Sequence, residues 1–281
     1  MTRWLSLAFC CLAATAAGQT SPDATHLGEL MNARNFAMGQ AYRAHGYGTE
    51  AIDGNPAALP LYKRYQVELT GGGDWGLGWG LGGVGLADSA SSDVGFGLSY
   101  HFVSYGRDET KRSAHLTTVA AALPIGELFS LGLSVRHQVI VGEPHTNSVT
   151  MGAGVIVRPL QFLTLAASGH NLIGVWNPDV RRFFSFGASA NLGFFTPAFD
   201  MTADFEDPGA PRFTFGGGLE WIAADTFPIR GGYLYDTHTR THFVSAGLGL
   251  FEEGSGIDVS YRHELGGQSR LVVVTLKAQF R

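Results

Sequence analysis

From about Arg64 to the end of the chain, apolar and polar residues alternate with a period of two, the signature of strands with unlike faces. Phe129, Leu131, Leu133 and Val135 share one parity, against Ser130, Gly132, Ser134 and Arg136 on the other. The same holds for Phe199, Met201, Ala203 and Phe205 against Asp200, Thr202, Asp204 and Glu206, and for Ile257, Val259 and Tyr261 against Asp258, Ser260 and Arg262. The last segment sets Val272, Val274, Leu276, Ala278 and Phe280 against Thr275, Lys277 and Gln279. Such alternation requires an apolar medium on one face. That medium is either the core of a soluble sandwich or membrane lipid.

Length separates the two. Soluble strands average about 5–6 residues, whereas these runs extend for about 9–13, the length a tilted strand needs to cross a bilayer. The second face is also rich in glycine. Trp75, Leu77, Trp79 and Leu81 read as an outward row, with Gly76, Gly78, Gly80 and Gly82 turned to a narrow lumen or an inserted plug. The expected fold is therefore all-β: a transmembrane antiparallel β-barrel of about 14 strands. The segments begin near Tyr65, Trp75, Val94, Ala114, Leu128, Asn147, Gln161, Arg182, Pro197, Arg212, Phe227, Thr241, Gly256 and Leu271.

An even count places both ends of the barrel on one side of the membrane. Connections such as 123–126, 158–160, 194–196 and 224–226 are short, whereas 106–113, 142–146 and 169–181 are longer or more polar. Short periplasmic turns and longer outer loops are the usual asymmetry, so both termini are expected in the periplasm. Aromatic residues near segment ends, among them Tyr65, Tyr100, Phe102, Trp221, Tyr233, Tyr235 and Tyr261, suit interfacial girdles.

Residues 1–18 read as a secretory signal peptide. Arg3 supplies the positive region, 4–13 the apolar stretch, and Ala14 to Ala17 the small-residue cleavage site. Cys10 and Cys11 would leave with it, which excludes disulfides and cysteine chemistry from the mature chain. Residues 19–63 do not alternate. A short helix is expected around Asp23 to Leu30, followed by the small-residue run Ala37 to Ala44 and the turn Asp53-Gly54-Asn55-Pro56-Ala57. Such a segment suits a compact hatch inserted in the lumen of the barrel formed by 64–281. Asn55 and Pro56, with Gly54 and Ala57, are the gate candidates. Proline holds the residue before it in extended geometry, and an Asn side chain secures such a turn.

Composition agrees. Of 281 residues 39 are Gly, 45% are hydrophobic and only 15% are charged, against about a quarter charged in soluble domains. No run of about 18 apolar residues follows the N-terminus, which excludes a helical bundle in the membrane. A net charge of -5 without a basic stripe gives no footprint for nucleic acid. The charged residues expected in the lumen are Glu68, Arg136, Asp200, Asp204, Glu206, Glu220, Arg230, Asp258, Arg262, Glu264 and Lys277. Buried charges must pair or meet water. They read as a network bracing the hatch, with a polar path or a ligand-carboxylate contact at Arg136, Arg230 or Arg262 as the alternative. No Gly-x-Ser-x-Gly elbow occurs and the histidines are scattered, so neither an enzyme, a metal site nor a cofactor is expected.

The order Ala-Met-Gly-x-Ala-Tyr-x-Ala at 37–44, followed by Asn55-Pro56-Ala57-Ala58-Leu59 before the first strand, resembles the FadL-type long-chain fatty-acid transporters, and still more the PorV/PorQ group of outer-membrane proteins. Residues 169–174 and 229–233 are similar to recurrent segments of the second group. The resemblance implies a fourteen-stranded barrel with an N-terminal hatch in a bacterial outer membrane. It also implies one of two roles. FadL-type members pass hydrophobic molecules through the barrel with the hatch as gate, whereas PorV-like members serve protein secretion and surface attachment. The expected function is passive transport of small hydrophobic compounds gated by the hatch; the alternative is a non-transporting barrel with secretion-system partners. The outer loops are short for a FadL-type transporter, which argues against an external capture site.

Overall fold

A computed structural model describes residues 27–29, 32–106, 111–143, 145–174, 177, 179–206 and 210–280; residues 1–18, expected to be a signal peptide, and 19–26 lie outside these. Fourteen strands close into one antiparallel barrel. They are β1 (Tyr65–Asp74), β2 (Trp79–Asp88), β3 (Gly95–Tyr105), β4 (Arg112–Ile125), β5 (Phe129–Val141), β6 (Thr146–Leu160) and β7 (Leu163–His170). The series continues with β8 (Phe183–Ala190), β9 (Phe195–Asp204), β10 (Arg212–Ala223), β11 (Phe227–Asp236), β12 (Thr241–Glu252), β13 (Ser255–Leu265) and β14 (Arg270–Phe280). Every strand pairs with its sequence neighbours, and β1 closes on β14 with Tyr65 opposite Phe280 and Glu68 opposite Lys277. Closure leaves no unpaired edge, the condition for a sheet to stand in lipid.

The outward face is apolar as the alternation requires: Phe129, Leu131, Leu133 and Val135 are exposed, while Ser130, Ser134 and Arg136 are buried. One stretch runs opposite to expectation. Residues 75–78 form a turn and β2 starts at Trp79, whose side chain is buried with that of Leu81. The register, with Trp79 beside Asp74 and Gly85 beside Glu68, turns the odd residues of β2 to the lumen and leaves Gly80 and Gly82 on the lipid side. The inversion has a physical cause. At this rim the lumen is itself apolar, so polarity no longer tells inside from outside.

A barrel's bore grows with strand number, and eight strands already make an interior that side chains fill. Fourteen leave a space that the N-terminal segment occupies. It comprises a 3-10 turn at Leu27–Glu29, α1 (Ala33–Ala37), α2 (Thr49–Asp53) and a 3-10 turn at Pro56–Leu61. α1 lies against β11 to β14, α2 against β1 to β4, and the second 3-10 turn against β3 to β6. The loop between the two helices reaches β8 to β11 through Arg43, Ala44, Met38 and Gly39. Ala33 to Ala37 and Thr49 to Asp53 are buried throughout. Of the helix expected around 23–30, the described part, Leu27–Glu29, is a single 3-10 turn.

Candidate functional site

The candidate site is the seam between hatch and wall. On the hatch, α1 presents Arg34 and α2 presents Glu50 and Asp53, all buried. Arg34 donates to Glu50 at 2.8 Å and makes a forked pair with Glu220 of β10, both arms 2.9 Å. Lys277 of β14 donates to the other oxygen of Glu50 at 2.5 Å. Arg230 of β11 donates to Glu220 at 2.6 Å and pairs with Asp258 of β13. The result is one chain of alternating charge, Asp258–Arg230–Glu220–Arg34–Glu50–Lys277, stitching α1 and α2 to four strands. Each ion has a partner of opposite sign, the arrangement buried charge demands.

Three further anchors surround it. Glu68 of β1 accepts from Asn32 (3.1 Å) and Thr49 (2.8 Å). Asp53 accepts from Arg136 (2.9 Å), Thr118 (2.6 Å) and Ser99 (2.7 Å) on three neighbouring strands. Asp200 accepts from the backbone N–H groups of Tyr42 (2.7 Å) and Arg43 (3.0 Å), fixing the loop between the helices. Burial alone would push the Glu50 carboxyl up, but Lys277 and Arg34 outweigh it and hold the group down at about 2. His45 is pushed down to about 3, first by burial and then by Arg34, and therefore sits in the hatch as a neutral ring.

Of the expected lumen charges, Glu68, Arg136, Asp200, Glu220 and Lys277 touch the hatch directly, and Arg230 and Asp258 hold those that do. Arg262 stands apart, its guanidinium 5.0 Å from the ring of Phe36 on α1 and 4.8 Å from that of Phe243. Asp204 faces the loop Arg181 at 3.7 Å. Glu206 is not a lumen residue: it lies past the end of β9, exposed, beside Arg182. The hatch partners Asn32, Arg34, Arg43, Glu50 and Asp53 were missed by sequence reasoning. Their signal was available, since charges inside a small-residue segment bound for a lumen need opposite charges on the wall.

Gly54 caps the C-terminus of α2, and Asn55 caps the following turn, its Oδ1 accepting from the Ala57 N–H at 3.1 Å. Asn55 Nδ2 donates across to the carbonyl of Val155 on β6 at 3.2 Å. Pro56 and Ala57 lie against Gly132 of β5, where any Cβ would collide with their backbone. The same relation recurs around the wall: Gly85 beneath Thr49, Gly97 beneath Ile52, Gly154 beneath Asn55, and Gly218 and Gly232 beneath Met38 and Gly39. Gly39 has a positive φ of 62° and its Cα position is walled by the Tyr233 and Gly217 carbonyls, so only glycine fits. Wall glycines thus mark the footprint of the hatch.

Beyond the hatch, toward the rim opposite the chain ends, the lumen becomes apolar. Trp79, Leu81, Val103, Leu116, Ile140, Leu271 and Val273 from the wall meet Leu27 and Phe36 of the hatch. Described residues of the β7–β8 connection lie at this end. Its Val180 joins the cluster, while Asp179 accepts from Tyr105 (2.7 Å) and Arg112 (2.6 Å). A Ser168–His170 pair at 2.9 Å, two residues apart on one face of β7, also lies buried here, with the imidazole stacked on Phe183. Among the described residues no group of His, Cys, Asp or Glu is placed to hold a metal ion.

A barrel of fourteen strands stoppered by an N-terminal hatch is a specific architecture. A Pseudomonas aeruginosa FadL homologue matches it with a TM-score of 0.70 at 16% identity, over 89% of this chain and 98% of its own. The fold is that of the FadL-type barrels. The Ralstonia pickettii toluene transporter TbuX matches with a TM-score of 0.70 at 13% identity, over 92% of this chain and 100% of that one. The monoaromatic hydrocarbon channel CymD matches with a TM-score of 0.69 at 11% identity, over 88% and 96%. No family model matches the sequence, and no curated protein does. The shared property is therefore the FadL-type outer-membrane fold.

Proposed function

We propose that the protein is a passive outer-membrane route for small hydrophobic compounds, held closed here by its hatch. The observation that carries this reading is the order of the lumen: a packed apolar cluster at one rim, then a hatch fastened to the wall by paired charges. An apolar solute that parts these side chains stays among apolar surface. It advances only when the hatch shifts, because the seam beyond is polar and filled. The toluene transporter and the hydrocarbon channel that share the fold carry such compounds, which supports the same substrate class here. Asn55, Pro56 and the Glu50–Lys277 contact are the gate in this reading, and no catalytic step is assigned to the chain. The short connections 126–128, 161–162, 191–194, 224–226 and 253–254 lie at the rim of the chain ends and the longer 171–182 and 205–211 at the other, which supports periplasmic termini. No feature of the structure favours a role in protein secretion over transport.

The test is uptake of toluene into proteoliposomes, with glucose as the polar comparison. Toluene entry above that of protein-free vesicles, with glucose unchanged, is expected. Equal toluene entry with and without protein ends the transport reading.

A further inference from the structure

The two rims of the barrel present different outward chemistry. The rim at the chain ends carries Tyr65, Phe129, Phe195, Trp221, Phe227 and Phe280 on exposed positions. Among the described residues, the outward histidines of the strands, His115, His137, His242 and His263, all lie in the opposite half.

Two of these form a patch with a common construction. The Tyr233 hydroxyl lies 2.5 Å from Nδ1 of His242, and the Tyr261 hydroxyl 3.0 Å from Nδ1 of His263. Tyr100 and His115 repeat the arrangement at 2.8 Å elsewhere on the wall. The contact admits a tyrosine O–H donating to Nδ1, which places an imidazole proton on Nε2 and gives each ring an N–H donor. The register places His263 directly opposite Arg270 and His242 diagonal to His263 across β12 and β13. Arg270 Nη1 is spent on the turn carbonyls of Gly267 (3.1 Å) and Ser269 (2.7 Å), and no carboxylate pairs with this guanidinium among the described residues. The acids of the neighbouring strand ends face the lumen and are occupied: Glu264 accepts from Ser269 N–H, and Asp236 pairs with Arg212. The outward patch is therefore an uncompensated positive charge flanked by two ring N–H donors, with tyrosines beneath them, at the height where lipid headgroups meet the wall.

We propose that His242, His263 and Arg270 bind the phosphate of an anionic lipid headgroup in the leaflet at this rim. An anionic oxygen accepts well from a guanidinium and from N–H groups fixed in place, since charge-assisted hydrogen bonds are the stronger kind. The tyrosine hydroxyls hold the rings and thereby reduce the ordering that binding requires.

The experiment compares retention of phosphatidylglycerol and phosphatidylcholine by the folded barrel in neutral detergent, read by native mass spectrometry. The wild type is expected to retain phosphatidylglycerol selectively, and His242→Phe/His263→Phe, which keeps ring bulk and removes the nitrogens, to lose about tenfold in that retention. Arg270→Gln is expected to lose retention likewise while its migration on gels still shifts on heating, the mark of a folded barrel. Raising salt to about 0.5 M should strip the lipid from the wild type, since screening weakens exposed charge contacts. Equal retention of the two lipids by the wild type, or unchanged selectivity in both folded variants, overturns the proposal.

Discussion

Lys277 shows what a single residue does in this lumen. Its ammonium is buried and lies between Glu50, Glu68 and Asp258. Lys277→Met removes the cation and leaves the carboxylate of Glu50 with Arg34 alone. Breaking a buried pair in this way costs about 3–5 kcal/mol, so denaturant unfolding in detergent should show a loss of that size, with protease reaching the hatch sooner. The pH response follows from the same residue pair. Glu50 is held at about 2 against an ordinary 4.5, so its stabilising contribution is complete above the ordinary value and fades as pH falls through the held one. Hatch proteolysis should therefore rise between about pH 4.5 and 2 in the wild type, and Glu50→Gln should flatten that rise. Residues such as Lys277 and Glu220 were legible as lumen charges from strand parity, but their partners were not, because pairing depends on where the hatch docks.

At the scale of elements, the hatch and the wall are matched backbone to side-chain-free wall. Gly132→Leu would put a branched side chain where Pro56 and Ala57 stand. The strand tolerates leucine, so the barrel should still form while the hatch is displaced. Toluene uptake should then rise and hatch protection fall; unchanged uptake together with an exposed hatch would show that the hatch is not the gate. In the β7–β8 connection Asp179 is a second anchor. Asp179→Ala removes its hold on Tyr105 and Arg112, a loss of about 1.5 kcal/mol or roughly tenfold in the closed population. Uptake kinetics would report it as faster entry, with a loss of thermal stability no larger than that contribution.

For the whole molecule, the order of strands and their even number followed from the chain alone. Alternation over lengths that cross a bilayer admits few folds, and an antiparallel meander that must have no edge closes on itself. The strand starts at Tyr65, Arg212, Phe227 and Thr241 stand where the pattern put them. The presence of a lumen segment was also legible, because residues 19–63 lack alternation and hold a small-residue run at 37–44. Tertiary structure decided the rest. It turned Trp79 and Leu81 inward, since only the register with β1 assigns a face where both media are apolar. It chose which charges meet, since Arg34 and Glu220 are 186 positions apart and no local pattern records such a pair. Local sequence determines which residues share a face, because strand geometry is periodic; which side that face meets, and what it touches there, is set by closure of the barrel around its own N-terminus.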